Sequence, residues 1–327
     1  MRATNSPRRG HLGFTLVELL VVISIIGILM GLLLGGVQKV REVGKRTAVV
    51  SDITQLDTAA SKFKTDFGFA PPQYIRLPGQ VPDSTWASGS AVQQESYAGF
   101  QQLLQMFPRW QIGGTSAASA APFTATGLNF RATLVPANAN GLLLEGSQSL
   151  VFFLGGPDLQ GFTPSGPYTP AAAATSKKGP YFDFVASRMN PAPTAVPNVS
   201  DPKFLDGYLD PYGTPYAYFS TFSGTNYNLA YAWAPPVPAG PAYANPMRAY
   251  QDPSGKWINP GRMQIISAGK NKRFGPGTVV VPGPPVTYVY WVPMGIGYIM
   301  DAAAPNGDGG DDLANFNGGF QLGASGN

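Results

Sequence analysis

Near its N-terminus the chain reads GFTLVELLVVISIIGILMGLLLGGV, residues 13–37. Phe14–Val37 is 24 residues of almost unbroken apolar sequence with a single acid, Glu18. About 20 apolar residues are enough for a helix to cross the hydrocarbon core of a bilayer. A carboxylate inside such a run costs roughly 2.5–3.5 kcal/mol. The stretch therefore predicts a membrane-spanning helix whose one acid has a partner or a function.

The residues before the apolar run form a short basic leader, because residues 1–13 hold three arginines and no acid. An ordinary secretory signal has an apolar core of roughly 7–15 residues with a small-residue cleavage site after it. The run here is too long for that, and a lipoprotein signal needs a cysteine, which the chain lacks. A plain uncleaved anchor remains open, but it explains neither the pair Gly13-Phe14 nor Glu18.

The composition excludes several kinds of function. Without the three leader arginines, 19 basic residues stand against 18 acidic ones, so no basic field remains for nucleic acid. The chain has no cysteine, and its one histidine, His11, lies in the leader. The rest of the chain therefore lacks cysteine nucleophiles, Ser-His-Asp triads and histidine zinc sites. We expect no enzyme.

Apolar periodicity predicts one long helix from Phe14 to about Phe67. Beyond the anchor the apolar positions step by four and three residues, the one-face pattern of a helix: Val49, Ile53, Leu56, Ala60, Phe63 and Phe67. The opposite face carries Lys45, Asp52, Gln55, Lys62 and Asp66. Gly68 supplies a stop and Pro71-Pro72 prevents resumption. Within the anchor, Gly27, Gly31 and Gly35 are spaced as in membrane helices that approach each other closely.

After the long helix, the sequence predicts short helices and strands joined by long loops, in keeping with the 40 glycines and 32 prolines of the chain. Between Pro71 and Ser200 we expect a short helix at Tyr97–Phe107, a buried segment at Ser149–Leu154 and a strand at Tyr181–Val185. In the C-terminal third, a turn at Leu209–Tyr218 opens a strand. Further strands are expected at Tyr227–Trp233, Met263–Ser267, Thr287–Val292 and Gly297–Met300.

The junction Arg8-Arg9-Gly10-His11-Leu12-Gly13 followed by FTLVELLVVI closely resembles the signal of type IV prepilins and type II secretion pseudopilins. The resemblance implies that a prepilin peptidase cleaves after Gly13 and N-methylates Phe14. It also implies that Glu18, fifth in the mature chain, neutralises the terminal amine of a neighbouring subunit during assembly.

A second resemblance lies in the C-terminal third. Residues 210–216, DPYGTPY, are similar to the DPWGxPY turn of major type II secretion pseudopilins, with Tyr212 in place of tryptophan. Their two following loops, which together bind calcium, are matched in part by residues 266–272 and 308–316. The resemblance implies a calcium site from Asp308, Asp311 and Asp312 with oxygens near Ser267 and Asn271. Asn271 stands where an aspartate is usual, and a solvated acidic loop is the alternative.

Together these features predict an α+β, pilin-like fold: a long N-terminal helix, membrane half plus amphipathic half, packed on a C-terminal antiparallel sheet with loop-rich insertions. The expected regions are a leader (1–13), a transmembrane and filament-core helix (14–37), an amphipathic continuation (38–68), a loop-rich insertion (69–200) and a sheet domain (201–327).

The expected function is that of a pseudopilus subunit. It would be anchored once in the inner membrane with its N-terminus cytoplasmic and its C-terminal domain periplasmic, and would join a periplasmic filament after assembly. The expected partners are the prepilin peptidase, other pilin or pseudopilin subunits and an inner-membrane assembly platform. The alternatives are a minor type IV pilin and a membrane-tethered ligand-binding protein.

Overall fold

The computed structural model describes part of the chain in segments separated by gaps: residues 15–78, 82, 84–109, 142–157, 159–164, 166–167, 176–190, 207–222, 224, 226–227, 248–251, 256–272, 274, 278–281, 287–290 and 312–316. The chain forms two compact units, Met1–Thr47 and Ala48–Asn327. Helices and short antiparallel strands make up the fold, which is pilin-like and α+β, as predicted.

The first helix, α1, spans Leu16–Phe67. Within the second unit, every member of the predicted apolar stripe from Val49 to Phe67 is buried, which confirms the amphipathic pattern. Gly68 ends the helix with a positive φ of 82°, a conformation that glycine adopts without steric cost, and its N–H donates to the Lys64 carbonyl at 2.8 Å.

The region after α1 contains two helices and a pair of strands. Strands β1 (Tyr74–Leu77) and β2 (Leu142–Glu145) pair antiparallel. Helix α2 spans Ala91–Met106, and so begins six residues before the predicted Tyr97. The reason is a capping box that the prediction overlooked: the Ser90 side chain accepts from the Gln93 N–H, and the Gln93 side chain accepts from the Ser90 N–H.

Helix α3 spans Ser147–Gly155 and contains the segment predicted to be buried. Leu150 through Leu154 are at most 1% exposed, so the burial is confirmed. The predicted strand at Tyr181–Val185 is wrong, because these residues form no strand and a 3₁₀ turn follows at Ala186–Arg188. The rings of Phe182 and Phe184 both pack against Tyr208, at 5.5 and 5.1 Å, so the segment is held by side-chain packing and not by strand pairing.

The remaining described strands form two antiparallel pairs and one three-stranded sheet. Strands β3 (Met189–Asn190) and β4 (Gly207–Tyr208) pair antiparallel. The sheet has the order β5-β6-β9, with all pairs antiparallel: β5 is Ala217–Ser220, β6 is Met263–Ser267 and β9 is Leu313–Ala314. Strands β7 (Thr278–Val281) and β8 (Thr287–Tyr290) form another antiparallel pair.

The strand predictions in the C-terminal third have mixed outcomes. The strand at Met263–Ser267 is confirmed, and β8 confirms the first four residues of the one predicted from Thr287. The strand predicted at Gly297–Met300 lies outside the described residues. Of the strand predicted at Tyr227–Trp233, the structure describes Tyr227 alone, and that residue is in no strand.

Charged side chains join the buried half of α1 to the rest of the second unit. Asp52, predicted on the polar face, is largely buried and accepts from Arg188 at 2.5 Å and from the Tyr216 hydroxyl at 2.9 Å. One turn further on, Asp57 accepts from Arg262 and from Asn315, both at 2.8 Å. The polar face of α1 therefore also makes tertiary contacts, which its helical pattern alone does not show.

Candidate functional sites

The first half of α1 presents apolar side chains to its surroundings in every direction. From Leu16 to Val43 the exposed large apolar side chains are 45–80% accessible. Among the described residues, α1 is the one helix long and apolar enough to cross a membrane. Added Cβ atoms at Gly27 or Gly31 would meet nothing within 4 Å, so this face is open to close approach by another helix. The segment therefore requires a lipid or protein partner.

Glu18 lies in the first turn of α1, where its own chain holds its carboxylate. Oε2 accepts from the Thr15 backbone N–H at 2.9 Å and from the Thr15 hydroxyl at 2.8 Å, and the Glu18 N–H donates to the Thr15 hydroxyl oxygen at 3.2 Å. This is a reciprocal capping box, which satisfies N–H groups that have no partner inside the helix. Glu18 remains exposed, so its carboxylate is accessible to a second donor.

Thr15 is a residue that the sequence reasoning missed, although Thr-x-x-Glu before an apolar run is a recognisable capping signal. It also explains why the helix begins at Leu16 and not at Phe14. Gly13 and Phe14, the predicted cleavage and methylation residues, lie outside the described residues.

The turn that follows β4 is organised by a buried carboxylate. Asp210 Oδ1 accepts from the N–H groups of Tyr212 and Thr214, both at 2.9 Å, and Oδ2 accepts from the Ser267 hydroxyl at 2.5 Å. Burial raises the pKa of Asp210, while these hydrogen bonds oppose the increase. The aspartate thus fixes the turn and ties it to the end of β6.

The predicted calcium residues are partly brought together. Ser267 pairs with Leu313 across the β6–β9 register, so Asp312 and the loop that contains Asn271 lie at the same end of the sheet. Asp312 is fully buried, and the Tyr250 hydroxyl donates to its Oδ2 at 3.5 Å. The Ser267 hydroxyl donates a hydrogen bond to Asp210. Ser267 would therefore contribute its backbone carbonyl oxygen to a metal site.

Asp308 and Asp311 lie outside the described residues. Within the described part of the chain, no group of three or more His, Cys, Asp or Glu side chains is placed to hold a metal ion. Among the predicted ligands, the structure thus describes Ser267, Asn271 and Asp312, and the calcium site stays a prediction.

Comparison with known proteins identifies the N-terminal segment. Residues 8–34 match the family model of the prokaryotic N-terminal methylation motif. The N-terminal segment therefore carries a prepilin-like methylation motif, which runs into the apolar first half of α1. The chain is 41% identical to the type II secretion system core protein G of Escherichia coli (strain K12) over 66 residues.

The match has a limited extent. It covers 20% of this chain and 43% of the Escherichia coli protein, less than half of either. No solved structure matches the chain. What the second unit does is therefore argued from its own residues.

Proposed function

We propose that this protein is a non-enzymatic structural subunit of a type II secretion pseudopilus, which polymerises through its N-terminal helix. The observation that carries the proposal is the apolar helical segment from Leu16 to Val37, whose described large apolar side chains are exposed and whose one acid, Glu18, lies near its start. The methylation motif and the likeness to core protein G support the same function.

The physical argument starts from the exposed apolar surface. Full burial of a single Val, Leu or Ile side chain gains about 1.5–3 kcal/mol, so many such side chains strongly favour leaving water. A bilayer covers them before assembly, and neighbouring copies of the same helix cover them in a filament. Lipid and protein are equally apolar, so transfer between the two needs a polar contact that specifies the position of each subunit.

Glu18 provides that contact in our proposal. Cleavage after Gly13 by the prepilin peptidase leaves a terminal amine on Phe14, which remains positively charged after N-methylation. In a medium of low dielectric constant an isolated carboxylate and an isolated ammonium are each costly, and pairing them removes most of the cost. Glu18 therefore exchanges its bonds with Thr15 for the amine of the adjacent subunit, which sets the register of the filament.

The proposed topology follows from this sequence of events. The protein crosses the inner membrane once, with its leader in the cytoplasm and its second unit in the periplasm. The peptidase, the other subunits and an inner-membrane assembly platform are its partners, and the product is a periplasmic filament.

The experiment that tests the assembly proposal compares two acids on α1. Glu18→Ala should be cleaved and methylated normally yet be lost from sheared filaments by at least tenfold, whereas the control Glu42→Ala should assemble at wild-type levels. Quantitative immunoblotting of membrane and sheared fractions measures both. Wild-type assembly of Glu18→Ala, or equal loss in the two variants, would contradict the role of Glu18 in register.

The size of the second unit favours a second candidate. Most of this chain extends beyond its match to core protein G, and the additional residues build the pairs and helices between α1 and the sheet. A minor type IV pilin, or a membrane-tethered binding protein with the same anchor, would use these residues as a head. A minor pilin would be found at low abundance in fibres, and a tethered binding protein only in membranes.

We also propose that the end of the β6–β9 pair binds calcium. Asp312 would supply a carboxylate, the loop that contains Asn271 would supply carbonyl or amide oxygen, and Asp308 and Asp311 would complete the ligand set. Bound calcium would join the C-terminal segment to the loop after β6, in a chain that has no disulfide to do so.

A further inference from the structure

A cavity of about 400 Å³ lies within the second unit, and neither Asp312 nor the loop after β6 is among its described lining. Sites for small molecules commonly measure roughly 300–1,000 Å³, so the cavity is large enough for a small ligand. The described residues that line it come from the ends of α1 and α2 and from two loop segments, 162–164 and 176–178.

Three phenylalanine rings form the apolar wall of the cavity. The ring centroids of Phe67 and Phe107 are 5.2 Å apart, those of Phe67 and Phe162 are 5.8 Å apart, and those of Phe107 and Phe162 are 5.3 Å apart. Met106 adds a flexible side chain next to them. The three rings hold one another in place, so the wall is built before any ligand arrives.

The charged side chains that line the cavity are basic. Arg109, Lys177 and Lys178 are the charged residues among its described lining, and no acid is among them. Lys178 is fixed, because its ammonium donates to the Asp66 carbonyl at 2.5 Å and lies 4.6 Å from the Phe67 ring centroid. The nearby Asp66 carboxylate accepts from the Tyr181 hydroxyl at 2.7 Å.

Thr163, one of the lining residues, carries a buried hydroxyl. The residue is 6% exposed, and among the described residues its hydroxyl has no hydrogen-bond partner. A buried hydroxyl without a partner costs about 1–3 kcal/mol. Two backbone hydrogen bonds of 2.8 Å between Phe162 and Lys178 hold the segment that carries Thr163 against the basic segment.

We propose that this cavity binds a small apolar carboxylate. The ring or short alkyl body of the ligand lies against the phenylalanine wall, and its carboxylate meets Arg109 and Lys177. Charge complementarity selects an acid over a neutral analogue, because the described lining carries only cations. The inference goes beyond the filament role and does not depend on it.

The test uses the full chain in lipid nanodiscs and fluorine NMR of 3-(4-fluorophenyl)propionate, with its neutral amide as the matched ligand and empty nanodiscs as the reference. We expect the acid to bind at least tenfold more tightly than the amide. The double substitution Arg109→Gln/Lys177→Gln should remove that preference, while Lys270→Gln, an exposed lysine outside the cavity, should leave it unchanged. The inference is overturned by equal binding of acid and amide, by wild-type affinity in the double variant, or by no binding above empty nanodiscs.

Discussion

Asp52→Ala is the substitution whose cost the structure predicts most specifically. The carboxylate accepts from Arg188 at 2.5 Å and from the Tyr216 hydroxyl at 2.9 Å, and the two side chains of the ion pair are 14% and 23% exposed. In the variant, Arg188 would still donate two hydrogen bonds to the Leu209 carbonyl, at 2.6 and 2.9 Å, and would still lie over the face of the Tyr208 ring. Its charge would therefore not be isolated.

These contacts determine how much the substitution lowers the free energy of unfolding. An exposed ion pair contributes about 0.2–1 kcal/mol, and removing one partner of a fully buried pair costs about 3–5 kcal/mol. The intermediate burial of this pair implies about 2 kcal/mol, and the loss of the acceptor for Tyr216 adds about 1 kcal/mol. We therefore expect Asp52→Ala to cost about 3 kcal/mol, equivalent to a fall in melting temperature of roughly 6–12 °C.

The assay is denaturation of the full chain in detergent micelles, followed by near-ultraviolet circular dichroism, with a double-mutant cycle between Asp52→Ala and Arg188→Met. Asp52→Asn, which keeps an acceptor oxygen, should lose less than Asp52→Ala. The matched control is Asp57→Ala on the same helix. It removes an ion pair whose arginine is 56% exposed, worth about 1 kcal/mol or less, and the hydrogen bond from Asn315, worth about 1 kcal/mol, so it should lose about 2 kcal/mol or less. A coupling energy near zero, or an Asp52→Ala loss no greater than that of Asp57→Ala, would refute the reasoning.

Three further predictions concern the second unit. Asp210→Ala should cost about 3 kcal/mol in chemical denaturation because it removes the acceptor of three hydrogen bonds, whereas Asp210→Asn should lose much less; equal losses would contradict this account of the turn. Burial raises the pKa of Tyr218 and Tyr250 above the usual value near 10, so their contribution to stability is complete below about pH 10 and falls as the pH rises further; unchanged denaturation midpoints between pH 9 and pH 11 would contradict it. Calcium should raise the melting temperature of the wild type, and Asp312→Asn should abolish the increase; an increase that survives in Asp312→Asn, or none in the wild type, would remove the proposed site.

The sequence predicts α1 well because the evidence is local. A continuous apolar run specifies the membrane half, and a stripe with a period of 3.6 residues specifies the buried half, from Val49 to Phe67. Gly68 marks the end because few other residues adopt a positive φ without strain. The start of α2 was also encoded locally, by Ser90 and Gln93.

Other features depend on partners that are distant in sequence. The segment of α3 is apolar throughout, so periodicity could not distinguish a buried helix from a buried strand. Asp52 and Arg188 are 136 residues apart, and nothing near Asp52 indicates that this polar position is buried. The cavity wall combines Phe67, Phe107 and Phe162 from three separate segments, so it has no motif in the sequence.

The candidate sites also differ in whether consecutive residues or distant residues define them. The methylation motif and Glu18 are read directly from consecutive residues, and the family match covers the same segment. The role of Thr15 as the partner of Glu18 follows from a four-residue pattern. The acids of the proposed calcium site are evident in the sequence, but the proximity of Asp312 to the loop after β6 required the strand register.

The central claim, a filament subunit made by cleavage of a prepilin, is tested most directly by mass-spectrometric mapping of the native N-terminus in membrane and sheared-fibre fractions. The account predicts a chain that begins with N-methylated Phe14 and is present in the fibres. A chain that still begins at Met1, or one cleaved beyond Gly36, would contradict it and favour an anchored or secreted binding protein.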